Sequence, residues 1–187
     1  MYFYCVLEPL ITSRTRLKML LRFFLNSHSK AHLRGLADEF GESTNAIRLE
    51  LNNLSKAGYL VSQEKGNTIE YSANTRHPLY PDLQRIIHKY IGIDKIIENV
   101  IDKLMFRLGE LDCAFITGDY ANGKDTGIID LVLVGRINGH HLPAYVNKAE
   151  KMIERKIRVL TLSPDEFEKT RKSLKYETSL CLWQREN

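Results

Sequence analysis

The chain has 187 residues, of which 43% are hydrophobic and 27% charged, and these proportions exclude a disordered or fibrous protein. This length allows one large domain or two small ones. The net charge is +4; residues 1–76 hold 10 Lys and Arg against 7 Asp and Glu, and the remainder holds 17 against 16. Such a slight basic excess is compatible with a nucleic-acid partner without requiring one.

Three helices are predicted in the first 57 residues. The first covers residues 13–25, with apolar residues at i, i+3, i+4 and i+7 and basic residues outside that stripe. The apolar residues are Leu17, Leu20, Leu21 and Phe24, and the basic ones are Arg14, Arg16, Lys18 and Arg22. After a polar break at residues 28–30, a shorter helix over residues 33–40 buries Leu33, Leu36, Ala37 and Phe40 and ends at Gly41. Ser43 or Thr44 then caps a third helix that runs to Ala57. The second and third helices, joined by a tight turn that contains Gly41, are typical of a helix-turn-helix.

The third helix has a polar face opposite its apolar one. Ile47, Leu51 and Leu54 fall within about 60° of one another at about 100° per residue and form the buried face. The opposite side carries Asn45, Arg48, Asn52 and Lys56. Arg and Asn side chains make bidentate contacts to guanine and adenine edges. A helix face that contacts only solvent would show the same arrangement of residues. Leu49 shares the outward side and suits either a thymine-methyl contact or a packing partner.

A β-hairpin follows the third helix, with strands over residues 59–65 and 68–73 joined by Gly66-Asn67. The chain thus has a helix-turn-helix, a short connection at Ala57-Gly58-Tyr59-Leu60 and a hairpin. This order resembles the winged-helix regulators of the ArsR/MarR type, over about residues 11–90. The run "L..L...G.L" that joins recognition helix to wing is carried here by Leu51, Leu54, Gly58 and Leu60. The residues expected to contact double-stranded DNA are Ser43, Thr44, Asn45, Arg48, Asn52, Lys56 and, from the wing, Lys65. A wing that reaches DNA usually carries several basic residues, whereas this wing also carries Glu64 and Glu70.

Residues 80–108 are predicted to be helical, with a break near Gly92 that favours two helices over one. This segment is more apolar than a linker requires, so we expect it to pack on both domains, to form a dimer interface, or both. A homodimer is expected because winged helices that read palindromes usually work as two-fold dimers. We place the domain boundary at Gly92, giving a winged helix-turn-helix domain over residues 1–91 and a second domain over residues 92–187.

The second domain is predicted to be a small α/β unit with a mixed sheet, which makes the whole chain α+β. Its strands cover residues 112–117, 128–134 and 157–162, and a helix covers residues 145–155. A last helix begins after Ser163, with Pro164 in its first position and Glu166 as the acid of a capping box.

Residues 116–134 resemble the core of the minimal nucleotidyltransferase domain, Gly-Ser-x-Ala-Arg-Gly followed by a polar loop and Asp-x-Asp-Leu. The matching positions are Gly118, Tyr120, Ala121, Gly123, Asp130 and Leu131. Residues 157–167 are similar to the final strand and the "SPEEF"-like helix start of such domains. The whole chain resembles bacterial regulators that fuse a winged helix to this domain.

Several residues depart from the chemistry that this resemblance implies. Nucleotidyl transfer needs two metal-binding carboxylates one residue apart, and the first of these positions is Ile128. Asp119 stands where a Ser would bind phosphate, and Asn122 replaces the Arg. Residues 157–162 offer no third carboxylate. Asp125 lies in a loop whose position the sequence does not determine. Asp130 is expected to form a hydrogen bond with the Gly118 loop.

We therefore expect a DNA-binding transcriptional regulator whose nucleotidyltransferase-like domain has lost catalysis. Gly118, Asp119, Gly123 and Asp130 form its vestigial nucleotide site, and the domain serves for dimerisation, partner binding or sensing of a small ligand. One alternative is an active nucleotidyltransferase that modifies a protein or nucleic acid, and another is a toxin–antitoxin-like interaction module. His140-His141 is expected to be exposed to solvent rather than to bind metal.

Location and cofactors follow from what the sequence lacks. Cys5, Cys113 and Cys181 show no metal-binding spacing, so we expect reduced thiols and neither metal nor cofactor. No apolar run is long enough to span a membrane, and the opening residues lack a basic leader. We accordingly expect a cytoplasmic protein without a membrane segment.

Overall fold

The computed structural model describes residue 7, residues 9–107 and residues 109–185. The chain divides into two compact units, Met1–Tyr90 and Ile91–Asn187, here called the first and second unit. Cys5, for which we expect a reduced thiol, lies outside the described residues.

The first unit contains helices and one three-stranded antiparallel sheet. In chain order the elements are α1 (Arg14–Phe24), β1 (Lys30–His32), α2 (Leu33–Phe40), α3 (Thr44–Lys56), β2 (Leu60–Lys65), β3 (Thr68–Ala73) and α4 (Tyr80–Ile91), whose last residue reaches the second unit. The strands lie in the order β1-β3-β2, and β2 and β3 form a hairpin. A helix-turn-helix followed by such a hairpin, with a third strand beside it, is the winged-helix fold.

Local signals in the sequence define the helix ends of this unit. Ser13 accepts a hydrogen bond from the backbone N–H of Arg16 at 3.1 Å and caps α1. Gly41 has φ +65°, the left-handed conformation expected at the end of α2. In α2, Leu36 and Ala37 are buried as predicted, but Leu33 and Phe40 are half-buried, against the expectation of full burial.

The predicted polar break at residues 28–30 is partly wrong, because Lys30 begins β1. This strand pairs with β3, with Lys30 opposite Ser72. Its three residues are too few to show the alternation of apolar and polar residues that marks a strand. The strand exists because β3, the far strand of the hairpin, supplies its hydrogen-bonding partner.

Arg22 was expected on the outside of α1, yet it is only 9% exposed. Its Nε donates to Glu39 Oε2 at 3.3 Å and its Nη2 donates to the backbone oxygen of Lys30 at 2.9 Å. A further hydrogen bond joins Nη1 to Ser29 Oγ. The helix is buried on more than the predicted stripe, since Met19 and Phe23 are also fully buried. Arg22 therefore ties α1 to α2 and to the start of β1.

The second unit contains a four-stranded mixed sheet. Its elements are α5 (Ile93–Ile96), a π-helical turn (Ile97–Ile101), α6 (Asp102–Arg107), β4 (Gly109–Thr117), α7 (Gly118–Ala121), β5 (Ile128–Ile137), α8 (Leu142–Ile153), β6 (Lys156–Leu162), α9 (Pro164–Thr170) and β7 (Leu180–Gln184). The strand order is β6-β5-β4-β7, with β5 and β6 parallel and the other pairs antiparallel. The mixed sheet is as predicted, whereas β7 was not predicted.

The predicted break at Gly92 is confirmed. Gly92 has φ +88°, and a Cβ at this position would lie 2.4 Å from Cγ2 of Ile153. The second half of the predicted helical segment differs from expectation, because the π-helical turn interrupts it. Its apolar residues are buried and belong to the core of the second unit, where α5 and the π-helical turn pack against α8 and α6 packs against β4. These buried residues are Ile93, Ile96, Val100, Ile101 and Leu104.

The other face of the sheet is covered by the C-terminal part of the unit. Phe115 of β4 packs against Phe167 and Tyr176, with ring centroids 5.8 Å and 4.9 Å apart. The capping box of Ser163 and Glu166 is confirmed at the start of α9, whereas α8 begins three residues before the predicted Tyr145. Within the described part of the chain, no helix combines the length and apolar character needed to cross a membrane.

Candidate nucleic-acid interface and C-terminal cleft

The outward face of α3 carries the predicted contact residues together. Asn45, Arg48, Leu49, Asn52 and Lys56 are all exposed. They lie opposite a face that buries Ile47, Leu51 and Leu54. The buried and exposed faces of α3 are therefore the ones that the sequence predicts.

The N-terminus of α3 is fixed by Ser43. Its Oγ accepts a hydrogen bond from the backbone N–H of Ala46 at 3.2 Å, and Thr44 is the first helical residue. One turn further on, Arg48 Nη1 donates to Asn45 Oδ1 at 2.9 Å. This bond orients both side chains and leaves the amide N–H groups of Asn45 and the other guanidinium donors of Arg48 for a partner.

Arg16 and Lys18 of α1 are paired with acids of α3 and of the turn that precedes it. Arg16 lies 3.0 Å from Glu50, and Lys18 lies 3.4 Å from Glu42. By contrast, Arg48 and Lys56 form no ion pair with any residue that the structure describes. These two cations of α3 are therefore available to an anionic partner, as are the exposed Arg14, Arg34, Arg76 and Lys89 of the same unit.

The wing presents little positive charge. Lys65 Nζ lies 3.5 Å from Glu70, whose other carboxylate oxygen lies 3.4 Å from Lys30. Burial raises the pKa of Glu70, but the charges and hydrogen bonds of Lys65 and Lys30 outweigh it, and the pKa lies below its usual value. Lys65 is therefore at the predicted place but shares an acid with Lys30. That pairing could not be read from the sequence without knowing that β1 exists.

In the second unit, the predicted Gly118 and Asp130 do come together. Gly118 has φ +71° at the turn from β4 into α7, and a Cβ there would lie 2.8 Å from Asp130 Oδ2. Asp119 is exposed beside it, and Gly123, with φ +75°, lies in the turn that follows α7.

The predicted hydrogen-bonding partner of Asp130 is wrong. Its carboxylate accepts hydrogen bonds from Arg158 Nε at 2.6 Å and Nη2 at 2.9 Å, because Asp130 on β5 stands directly opposite Arg158 on β6. The hydrogen bond to Asp130 and its charge raise the pKa of Arg158. A cation thus lies where the resemblance calls for a further carboxylate, and a metal ion at Asp130 would have to displace it.

The predicted loop residue Asp125 is held in place rather than free. It accepts hydrogen bonds from Arg155 and from the backbone N–H of Gly127, and the hydroxyl of Tyr120 also donates to it. Arg155 is 5% exposed and donates to the backbone oxygen of Ile91 at 3.4 Å. Burial lowers the pKa of Arg155 to about 10. Asp125 is therefore the counter-ion of a buried cation.

Two small cavities flank this region. One, of about 240 Å³, is lined by apolar residues of β5 and β6 and by Asp130 and Arg158. The other, of about 210 Å³, lies between α7 and residues 173–179 and is lined by more polar groups. They meet where Thr117 Oγ1 donates to the backbone oxygen of Leu174 at 2.9 Å. Both cavities are partly open to solvent.

Metal-ligating side chains are sparse in the described residues. No group of three or more His, Cys, Asp or Glu side chains there could hold a metal ion. His140 and His141 are exposed, with their rings 4.9 Å apart in an edge-on arrangement.

Comparison with known proteins gives few similarities. Neither a protein-family model nor a curated protein sequence matches the chain. Among solved structures, reduced HlyU from Vibrio cholerae N16961 is similar at 17% identity over 46% of this chain and 86% of that one, with a TM-score of 0.36. The transcriptional regulator BldR from Sulfolobus solfataricus is similar at 13% identity over 56% of this chain and 76% of that one, also with a TM-score of 0.36.

Proposed function

We propose that the chain is a DNA-binding transcriptional regulator that reads its site with α3. The observation that carries the proposal is the row of Asn45, Arg48 and Asn52 on the outward face of a winged helix-turn-helix. These are the side-chain types that pair bidentately with adenine and guanine in the major groove. Lys56 lies on the same face. We propose phosphate contacts for Ser43 and Thr44 at the helix start and one contact for Lys65 of the wing.

The distribution of charge supports the first unit as the DNA-binding part. Residues 1–90 hold 12 Lys and Arg against 8 Asp and Glu, whereas residues 91–187 hold 15 against 15. The entire net charge of +4 therefore belongs to the first unit. A basic unit attracts the phosphate backbone, which contributes much of the affinity in protein–DNA complexes.

Selection of bound duplexes from a random library by the full chain tests this proposal. We expect one sequence to be enriched, and the double variant Arg48→Ala/Asn52→Ala to lose that preference. The matched control, Arg136→Ala/Asn147→Ala, removes two exposed residues of the same types from the second unit and should retain it. Absence of any enriched sequence, at low as well as physiological salt, would refute the proposal.

A homodimer is part of the proposal, supported by an apolar stripe that begins just before α4 and continues along it. Leu79 and Ile86 are 49% and 45% exposed, and Leu83 between them is half-exposed. Their spacing of four and three residues places them on one side of the helix. Burying such a stripe against a second copy would remove it from water and would place two copies of α3 on a two-fold-symmetric site.

For the second unit we propose a nucleotidyltransferase-like domain without catalysis, used for dimerisation, for a protein partner or for a small ligand in the cleft. The strand-turn-strand of β4, α7 and β5, with Gly118 beside Asp130, supports the likeness. The loss of catalysis is supported by Ile128, which is 40% exposed at the first carboxylate position, and by the Arg158–Asp130 ion pair. Asp119 adds an anion where phosphate would bind.

An active nucleotidyltransferase is the second candidate, favoured by the place of Asp130 beside the Gly118 turn. Incubation with each labelled nucleotide and magnesium or manganese distinguishes the two. We expect no incorporation above that of Asp130→Ala. Metal-dependent incorporation that Asp130→Ala abolishes would establish the enzyme instead.

A further inference from the structure

Leu49 occupies the middle of the outward face of α3. At about 100° per residue, it lies about 40° from Asn45, about 60° from Asn52 and about 20° from Lys56. It is 61% exposed, although it is flanked by polar side chains on this face. The buried face of the helix lies on the other side, so no core position accounts for this leucine.

We infer that Leu49 determines specificity by contacting the C5-methyl group of a thymine in the major groove. The inference rests on the proposed DNA-binding function. Among the groups that base edges present in the major groove, the thymine methyl is the apolar one, and aliphatic side chains contact it. A solvated face gives a large apolar side chain no favourable contact, whereas a methyl group in the groove does.

The neighbours of Leu49 fit the same assignment. Asn45 lies one turn before Leu49 and Asn52 lies one turn after it, and asparagine pairs bidentately with the N6 and N7 atoms of adenine. Every adenine brings a thymine methyl into the same groove on the opposite strand. A row of Asn45, Leu49 and Asn52 is therefore complementary to a short A·T-containing core. Arg48 at the edge of the row, held by Asn45 at 2.9 Å, can read a flanking guanine.

Replacing thymine by uracil tests the inference, because this change removes the methyl group and keeps every hydrogen-bonding group. The duplexes are those selected from a random library by the full wild-type chain, with each thymine replaced in turn. At one position per half-site we expect wild-type affinity to fall about fourfold, the equivalent of about 0.8 kcal/mol for one buried methylene. Leu49→Ala should bind the thymine and uracil duplexes equally.

Leu10→Ala is the matched control, since Leu10 is 77% exposed, lies outside α3 and loses the same atoms. It should discriminate thymine from uracil as the wild type does. Equal wild-type affinity for both bases at every position, or discrimination that survives Leu49→Ala, would overturn the role of Leu49 while leaving DNA binding intact. If no duplex is selected at all, the proposed function itself fails.

Discussion

Asp125 and Asp130 of the second unit each bind an arginine, but the two ion pairs differ in burial. Arg155, the partner of Asp125, has a side chain 4% exposed, whereas Arg158, the partner of Asp130, has a side chain 69% exposed. A buried guanidinium that loses its counter-ion is left uncompensated in a medium of low dielectric constant. An exposed one is simply solvated again.

This difference predicts unequal costs for two chemically identical substitutions. Asp125→Asn should lower the free energy of unfolding by about 3 kcal/mol, the low end for a broken buried pair, because Asp125 itself keeps some contact with water. Asp130→Asn, the matched control, should lower it by at most about 1 kcal/mol. Urea denaturation of the full chain measures both. Equal losses would contradict the assignment of Asp125 as a structural counter-ion.

The same two residues show how far the sequence predicts this site. The nearness of Asp130 to Gly118 follows from a local strand-turn-strand pattern and was predicted correctly. Neither arginine partner could be predicted, because each lies about 30 residues away and reaches its acid through tertiary structure. For Asp130 the deciding fact is the register of β5 against β6, which no local pattern encodes.

At the scale of elements, those with strong periodicity or clear end signals were predicted, among them α1, α3, the hairpin of β2 and β3, and the start of α9. The missed strands β1 and β7 have three and five residues. Each forms because a distant strand supplies hydrogen-bonding partners, so its own sequence carries little signal. The π-helical turn of the second unit likewise lies within an apolar run that reads as continuous helix.

The N-cap of α3 allows stability and DNA binding to be separated. Ser43→Ala removes the acceptor for Ala46 N–H and should cost about 1 kcal/mol of unfolding free energy. Ser43→Asp keeps a capping acceptor and should retain stability, but its negative charge should weaken binding to DNA phosphates. Thermal unfolding and a DNA titration of both variants check this. Undiminished affinity in the Asp variant would remove Ser43 from the proposed contact surface.

The stripe at α4 gives a prediction about assembly. Ile86→Glu places a charge in the apolar stripe of the proposed two-fold interface and should shift the protein to monomers, because an unpaired buried carboxylate is costly. Arg85→Glu is the control, since Arg85 is exposed on the same helix outside the stripe. Sedimentation velocity over a range of concentrations distinguishes the outcomes. A dimer unchanged by Ile86→Glu would place the interface elsewhere.

At the scale of the whole molecule, the two units divide the charge unequally. The first holds the net charge of +4 and the second is neutral by count, although it has more charged residues. Much of the basic charge of the first unit is also paired internally, as between Arg16 and Glu50. The phosphate-binding cations should therefore be few, and they should lie on the first unit.

The salt dependence of DNA affinity tests this division. Arg34 is an exposed residue of α2 that forms no ion pair with a described residue. The triple variant Arg34→Gln/Arg48→Gln/Lys56→Gln should flatten the plot of log affinity against log salt by about 0.9 for each phosphate contact removed. Lys148→Gln/Lys151→Gln/Lys172→Gln removes the same charge from exposed positions of the second unit and should leave the slope unchanged. If this control flattens the slope as much, the neutral unit also lies on the DNA, and the function must be shared between both halves of the chain.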